Sequence, residues 1–147
     1  RNCIANHKSC REPDPHHYSL ARLPKRLLDL SHGSNVVIVD VAEWVSSNVA
    51  TIFELSEYCA LSYRWGNGSH ACVLSAPFAT LLEMPLESMP QTFKDAIQVA
   101  RRLGVRFLWI DALCIIQPSA SGDDTDWRAE GPRMGVIYES AMFTIAA

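Results

Sequence analysis

Apolar residues along this chain fall into short runs and one helical stripe. Residues 107–110 are apolar without interruption, which is typical of a strand that is covered on both faces. Residues 36–41 and 58–63 are rich in β-branched, aromatic and other apolar side chains and predict two more strands. Over residues 90–104, apolar side chains recur at helical spacing, which predicts an amphipathic helix with Thr92 as its N-cap and Gly104 as its stop.

Weaker patterns complete the predicted order of elements. Residues 51–55 are a second, weaker strand candidate, which we expect to pair with residues 36–41 as a short β-hairpin that leads into the domain. Residues 1–35 are polar and predict an irregular lead-in, so the domain itself is expected over residues 36–147. Four further elements are expected, namely a strand at 71–74, a helix at 77–82, a helix at 131–140 and a strand at 142–146.

This alternation of strands and helices predicts an α/β fold with a mostly parallel sheet and helices on both faces. Because residues 107–111 form the most apolar strand, we expect them at the centre of the sheet. Their expected neighbours are the strands at 58–63 and 142–146, and the helix at 91–103 is expected to pack on one face.

Composition and charge exclude several classes of protein. With 147 residues, of which 48% are hydrophobic and 20% charged, the chain can bury the core of one globular domain. A net charge of −3 gives no general attraction to nucleic acid or to anionic membranes. No apolar run approaches the roughly 20 residues that span a bilayer. The chain lacks an initiator Met and stops just after an apolar run, so we expect a fragment truncated at its C-terminal end.

Cysteine usage favours a reducing compartment, which predicts a cytoplasmic protein. The number of cysteines is odd, five, and most of them lie in apolar runs, where a free thiol behaves as a small hydrophobe. Cys114 is accordingly predicted to be core packing rather than a nucleophile. Cys3, His7 and Cys10 have side chains suited to zinc, but their spacing matches no known finger, so no metal site is predicted.

Asp111 is the most informative polar residue, because it follows an almost wholly apolar strand. A buried carboxylate is costly unless it is paired or faces a cleft. Asp111 could order a turn by bonding neighbouring backbone. It could also line a pocket, since ligand sites in α/β sheets form at the carboxyl ends of strands.

Four segments occur in a fixed order: residues 60–66 (Ala-Leu-Ser-Tyr-Arg-Trp-Gly), 89–97 (Met-Pro-Gln-Thr-Phe-Lys-Asp-Ala-Ile), 103–117 (around Phe-Leu-Trp-Ile-Asp) and 126–138 (opening with Asp-Trp-Arg-Ala-Glu). Together they resemble the heterokaryon incompatibility (HET) domain of filamentous fungi, over about residues 20–147. The lead-in 23–30 (Leu-Pro-Lys-Arg-Leu-Leu-Asp-Leu) is similar as well. The resemblance implies a role in non-self recognition and programmed cell death. It also implies a flavodoxin-like fold related to the Toll/interleukin-receptor (TIR) domain of innate immunity.

The chain departs from the family pattern at several positions. Arg64 stands where the family usually has Cys, Ala112 where it often has Ser, and Met89 where Leu is usual. Gly131-Pro132 follows the Trp-x-x-Glu unit, at a point where the family usually continues one helix. Because Pro is tolerated only in the first turn of a helix, we expect an interruption there.

The resemblance assigns a candidate catalytic group to Glu130. Trp127 to Glu130 resemble the Trp-Cys-x-x-Glu segment of TIR domains, whose enzymatic members release nicotinamide from NAD. Glu130, with Asp111 in the same cleft, would stabilise the positive charge that develops on ribose, and Trp127 would stack on a ring. The alternative is an exposed Glu near a helix start, favoured by the helix dipole.

The loop after the strand at 58–63 is the candidate binding segment for the same substrate. Tyr63, Arg64, Trp65 and Gly66 are expected to bind a ring or a phosphate of NAD. An aromatic-anchored turn with no ligand is the alternative. The expected pocket gathers Tyr63, Arg64, Asp111 and Glu130.

Two classes of function therefore remain open from the sequence. The first is a TIR-like NAD glycohydrolase that is switched on by self-association and needs no cofactor besides its substrate. The second is a non-catalytic signalling module that acts on other death-signalling proteins or on its own copies. Neither class involves nucleic acid or a membrane span.

Overall fold

The computed structural model describes residues 19–47, 49–65, 82–118 and 123–147. Six strands and six α-helices occur in these ranges, together with two 3-10 turns at Leu86–Ser88 and Gly131–Arg133. The strands are β1 (Arg26–Asp29), β2 (Asn35–Asp40), β3 (Tyr58–Ser62), β4 (Leu82–Pro85), β5 (Phe107–Trp109) and β6 (Thr144–Ala146). The helices are α1 (Val41–Ser46), α2 (Ile52–Ser56), α3 (Gln91–Arg102), α4 (Asp111–Cys114), α5 (Thr125–Glu130) and α6 (Met134–Ser140).

The six strands form one mixed sheet in the order β4-β2-β1-β5-β3-β6. Only β3 pairs in parallel, with β5 on one side and β6 on the other. The pairs β1–β2, β1–β5 and β2–β4 are antiparallel. The α/β class is confirmed, but the prediction of a mostly parallel, flavodoxin-like sheet is wrong, because β1 inserts between β2 and β5 and runs antiparallel to both.

The lead-in hairpin exists, but other residues build it. β1 pairs with β2 from Arg26 opposite Asp40 to Asp29 opposite Val37. Gly33, in the connection between them, has a φ of 61°, which a residue without a Cβ adopts at little cost. The prediction that residues 1–35 are irregular is therefore wrong for β1.

The predicted hairpin partner at 51–55 is also wrong, because this segment is helix α2. The Thr51 side chain accepts from the Glu54 backbone N–H, and the Glu54 carboxylate accepts from the Thr51 N–H. Such a capping box satisfies two of the backbone donors that a helix start leaves unpaired.

Helix α3 follows the predicted stripe closely. Its buried residues are Phe93, Ala96, Ile97 and Ala100. Its N-cap is Pro90 rather than Thr92. The predicted stop is confirmed. Gly104 has a φ of 73°, its N–H donates to the Arg101 carbonyl, and the next N–H, from Val105, donates to the Ala100 carbonyl at 2.9 Å. These two bonds make a Schellman motif.

The core lies on both faces of the central strands. Leu27, Leu28, Leu108 and Trp109 are all 0% exposed, and successive residues of a strand point to opposite faces. The predicted central position of β5 is confirmed. Its neighbours, however, are β1 and β3, because β6 lies at the sheet edge beside β3.

Helix α6 packs against one face of the sheet. The Tyr58 hydroxyl donates to the Ile137 carbonyl, and the Trp109 ring meets the Tyr138 ring edge-on with 5.3 Å between centroids. Within the described ranges, Trp109 Nε1 is the one buried side-chain nitrogen or oxygen without a hydrogen-bond partner. The indole therefore contributes to stability through its apolar contacts.

The remaining predictions divide between the described residues and the rest. The predicted helix at 131–140 appears as a 3-10 turn followed by α6, and the strand at 142–146 as β6. The strand predicted at 71–74 lies outside the described residues, as does nearly all of the helix predicted at 77–82. In the part of the chain that the structure describes, no helix has the length and apolar character to cross a membrane.

Candidate functional site

A strand-end cluster of Tyr63, Trp65 and Asp111 forms where the parallel strands β3 and β5 end. Asp111 is the first residue of α4 and is 8% exposed. Its Oδ2 accepts from Trp65 Nε1 at 2.8 Å, and its Oδ1 accepts from the backbone N–H of Ala112 at 2.7 Å. Asp111 thus orders the start of α4, as one of its two predicted roles required, and it also fixes an aromatic side chain at the carboxyl end of the sheet.

The aromatic rings continue this cluster towards α3. Tyr63 and Trp65 stack with 6.4 Å between centroids and 13° between ring planes. Tyr63 also meets Phe93 of α3 edge-on at 5.1 Å. Of the other two predicted loop residues, Arg64 is exposed and Gly66 lies outside the described residues.

Electrostatics connect Asp111 to α6. Burial raises the pKa of Tyr138, and the Asp111 charge acts in the same direction. The Tyr138 hydroxyl donates to the Leu61 carbonyl at 3.3 Å. Tyr138 is therefore a neutral donor beside the strand-end cluster at physiological pH.

Glu130, the predicted catalytic group, is buried and paired within the chain. It is 4% exposed. Its Oε2 accepts from the backbone N–H of Lys25 at 2.9 Å, and its Oε1 accepts from the guanidinium of Arg133. The same guanidinium also donates to the carbonyl oxygens of Ala21 and Leu23 at 2.9 and 2.8 Å. Glu130 therefore ties the helical segment 125–140, which runs from α5 to α6, to residues 19–25. These residues precede β1, and we call them the strap.

Trp127 packs along its own helix. It is 36% exposed, and a Cβ built on Gly131 would lie 3.4 Å from its indole ring. Gly131 itself has φ −55° and ψ −48°, so the backbone stays in the right-handed helical region up to Pro132. The expected interruption is a single 3-10 turn between α5 and α6.

Asp126 is the centre of a second polar cluster that sequence reasoning missed. Its carboxylate accepts hydrogen bonds, each of 2.8 Å, from both terminal nitrogens of Arg26, from Lys25 Nζ and from the Ile116 N–H. Arg26 also donates to the Cys114 carbonyl at 2.9 Å. Burial alone would raise the pKa of Asp126, but the hydrogen bonds from Arg26 and Lys25 hold it well below its usual range.

The sequence signal for this cluster was weak. Arg26 and Asp126 have opposite charges and belong to two of the segments that resemble one family, but nothing in the sequence pairs them across 100 residues. Asp29, in the same lead-in segment, is 0% exposed and accepts from Nε and Nη2 of Arg106, at 2.7 Å for the shortest contact. Two charge pairs thus join the lead-in 23–30 to two other motif segments, 126–138 and 103–117.

Cys114 is a buried thiol at the end of α4. Burial raises its pKa to about 12, and the charges of Asp111 and Glu130 add to this effect. A thiol with this pKa stays protonated, so the prediction that Cys114 is core packing is confirmed by its 1% exposure. No group of metal-ligating side chains occurs among the described residues, and Cys3, His7 and Cys10 lie outside them.

Two cavities in the described part of the chain lie away from Asp111 and Glu130. One of about 250 Å³ is lined by Lys25, Gln117 and Asp126 among others. The other, of about 610 Å³, runs along the polar side of α3. Asp111 and Glu130 line neither of them. Asp111 bonds to Trp65 and Ala112, whereas Glu130 bonds to Lys25 and Arg133. No hydrogen bond between described residues joins the two carboxylates.

Comparison with known proteins identifies the family. The family model described as heterokaryon incompatibility protein (HET) matches residues 58–147, which is more than half of the chain and runs from β3 to beyond β6. No curated protein and no solved structure matches the chain. The strand-end cluster and Glu130 both lie within the matched residues. The chain belongs to the heterokaryon incompatibility (HET) family.

Proposed function

We propose that this chain is a signalling module of heterokaryon incompatibility, which triggers cell death through protein contacts and self-association. The observation that carries the proposal is the state of Glu130. Both of its carboxylate oxygens accept hydrogen bonds from within the chain, one from the Lys25 backbone and one from Arg133. Membership of the HET family supplies the link to incompatibility.

This state of Glu130 argues against a catalytic role for it. A carboxylate that stabilises a ribosyl cation needs an oxygen directed at the ribose in a water-poor cleft. Glu130 is 4% exposed and bound by two donors, so a substrate would first have to displace one of them. An ion pair that orders a helical segment is the simpler role for this arrangement.

A second candidate function, TIR-like hydrolysis of NAD, is favoured by one specific observation. Asp111 lies where two parallel strands end, held by Trp65 and flanked by the stacked ring of Tyr63. The carboxyl ends of parallel strands are the usual place for ligands in α/β folds. In this reading Asp111 takes the charge-stabilising role and the aromatic rings bind nicotinamide or adenine.

Nicotinamide release separates the two functions. Purified chain at high concentration is incubated with NAD, beside Asp111→Asn and Glu130→Gln variants and an Asp124→Asn control. Asp124 pairs with Arg128 on the surface and contacts neither cluster. We expect no release above buffer from any of the four proteins. Release by the wild type that is lost in Asp111→Asn would replace the proposed function by the enzymatic one.

We also place the module in the cytoplasm. Cys59 and Cys114 are both free and buried, and burial raises the pKa of each to about 12. Free, buried thiols of this kind support a reducing compartment. A fluorescent fusion of the chain expressed in fungal cells tests this location, and signal confined to an organelle would contradict it.

A further inference from the structure

We propose that the strap, residues 19–25, is a displaceable cover that holds the module in its off state. In this proposal, release of the strap uncovers the face of the helical segment 125–140 that carries Glu130 and Arg133. The inference rests on the proposed function, because it names the step that turns the module on.

Polar contacts that involve side chains tie the strap to segment 125–140. The guanidinium of Arg133 binds the carbonyl oxygens of Ala21 and Leu23, and Glu130 binds the Lys25 N–H. Arg22 Nε donates to Ser140 Oγ at 3.1 Å, and its guanidinium lies 3.9 Å from Glu139. Every one of these contacts runs from the strap to the segment 125–140, from its first helix to its last.

Lys25 extends the same pattern to the start of the segment. Its side chain pairs with Asp126 at 2.8 Å while its backbone N–H binds Glu130. One residue of the strap thus touches both acidic side chains of α5 that point towards it. This face binds the strap through backbone groups and cations, as it would bind an extended basic peptide.

The strap is held mainly by polar contacts. It meets the sheet at its last residue, Lys25, whose carbonyl accepts from the Val41 N–H at 2.9 Å just before β1 begins at Arg26. Its internal backbone bonds are those of one turn, from the Arg22 N–H to the Ser19 carbonyl and from the Leu23 N–H to the Leu20 carbonyl. Leu20 is 44% exposed, and the strap buries Leu23 and Pro24. Segments held by few apolar contacts and by partly exposed hydrogen bonds open locally while the rest of a domain stays folded.

The strap covers the face that carries Glu130 and Arg133. Glu130 is 4% exposed with the strap in place, and two of the groups that bury or bind it, the Lys25 N–H and the Arg133 side chain, are held there through the strap. When the strap leaves, Glu130 loses one hydrogen bond and Arg133 loses two. The uncovered face of segment 125–140, rather than either charge alone, is then open to a partner protein.

The experiment opens the strap and measures both its motion and its consequence. Arg133→Gln removes the group that binds Glu130 and two strap carbonyls. Arg128→Gln is the matched control, because Arg128 lies on the neighbouring helix, is highly exposed and pairs only with Asp124 among the described residues. Arg22→Ala is a milder second variant that loses the contacts to Ser140 and Glu139.

Amide hydrogen exchange measures the opening of the strap. We expect the Lys25 amide to exchange about tenfold faster or more in Arg133→Gln, less so in Arg22→Ala, and unchanged in the control, with the amides of β5 protected in all of them. If Lys25 exchanges at the wild-type rate in both variants, the strap is not displaceable and the inference fails.

Killing of fungal cells at matched, low expression measures the consequence. We expect both strap variants to kill a larger fraction of cells than the wild type and the control. Faster exchange with killing equal to or below wild type would mean that the strap is only structural, which overturns the inference. Nicotinamide release during enhanced killing would overturn the proposed function but leave the strap as the switch.

Discussion

The centre of the sheet and the interface between the strap and segment 125–140 are buried by different physical means. At the centre, Leu27, Leu108 and Trp109 are fully buried through apolar contact alone, and Trp109 even leaves its Nε1 without a partner among the described residues. At the interface, the half-buried Asp126 and the buried Glu130 are held by directed hydrogen bonds from Lys25, and Asp126 also accepts from Arg26 at the adjoining end of β1.

This difference determines which part of the molecule can change state. Apolar burial is non-directional and adds over a large area, so the centre opens only when the whole domain unfolds. A buried charge pair is strong only while its geometry is kept, and losing one partner removes much of its value. The interface therefore holds the helices in one arrangement and can release them without unfolding the sheet.

Truncation at the centre should have the largest effect on stability. We expect Trp109→Ala to lower the free energy of unfolding by about 3–5 kcal/mol, because it leaves a cavity among fully buried side chains. Trp109→Phe should lower it by only about 1–2 kcal/mol, since the lost indole Nε1 makes no hydrogen bond in the structure. Urea unfolding followed by circular dichroism gives both values. A loss for Trp109→Phe as large as that for Trp109→Ala would contradict the assignment of the indole to apolar packing.

Removal of one charge at the interface should have a smaller effect. Arg26→Met leaves Asp126 with Lys25 and the Ile116 N–H, so we expect a loss of about 2 kcal/mol of unfolding free energy. Arg128→Met, which breaks an exposed pair, should cost less than about 0.5 kcal/mol. The two variants are compared by urea midpoints at one pH. A midpoint for Arg26→Met that matches its control would make the interface no stronger than a surface ion pair.

Acid should weaken the domain through two paired carboxylates, Asp126 at the interface and Asp29 in β1. The pKa of Asp126 and that of Asp29 lie below the ordinary value of 3.8, because arginine hydrogen bonds outweigh the effect of burial. Their stabilising contribution is complete above that value and is lost as the pH falls from about 4 through the lower native pKa values. The urea midpoint should therefore fall from pH 5 to pH 2.5. Asp126→Asn should show a shallower fall, and a slope equal to wild type would contradict this assignment.

Helix propensity should give the smallest change, with opposite results at two glycines. Gly135 lies in α6 with nothing within 4 Å of a built Cβ, so Gly135→Ala should raise stability by about 0.5–1 kcal/mol. Gly131 is helical but precedes Pro132, whose ring disfavours a Cβ on a helical neighbour, so Gly131→Ala should give no gain. Thermal melts of the two variants test this. A gain of equal size at both positions would show that the turn before Pro132 tolerates a side chain.

Local patterns in the sequence were sufficient for the elements that depend on local physics. The helical stripe and glycine stop of α3, the buried run of β5 and the strand β2 were all predicted from spacing and composition. The signal for helix α2 was present, since Thr51 and Glu54 have the spacing of a capping box. The helix was missed because the apolar residues between them suggested a strand.

Features that depend on distant partners could not be read in the same way. β1 is four residues long and has a charge at each end, which a local reading takes as a loop. Arg26 pairs with Asp126, 100 residues further along the chain, and Asp29 pairs with Arg106, 77 residues further along. The mixed sheet follows from the position of β1 and was therefore missed as well. For the candidate site, the position of Asp111 at a strand end was predictable, but the partners that bury Glu130 were not.

The most direct test of a contact-driven role is the killing of fungal cells by Glu130→Gln at expression matched to the wild type. Gln keeps the shape of the side chain and can still accept from Lys25, but it carries no charge for a ribosyl cation. We expect killing at least as frequent as with the wild type, since the strap is weakened and no chemistry is lost. Loss of killing by Glu130→Gln, with soluble protein at wild-type level, would contradict a contact-driven role and restore Glu130 as a catalytic residue.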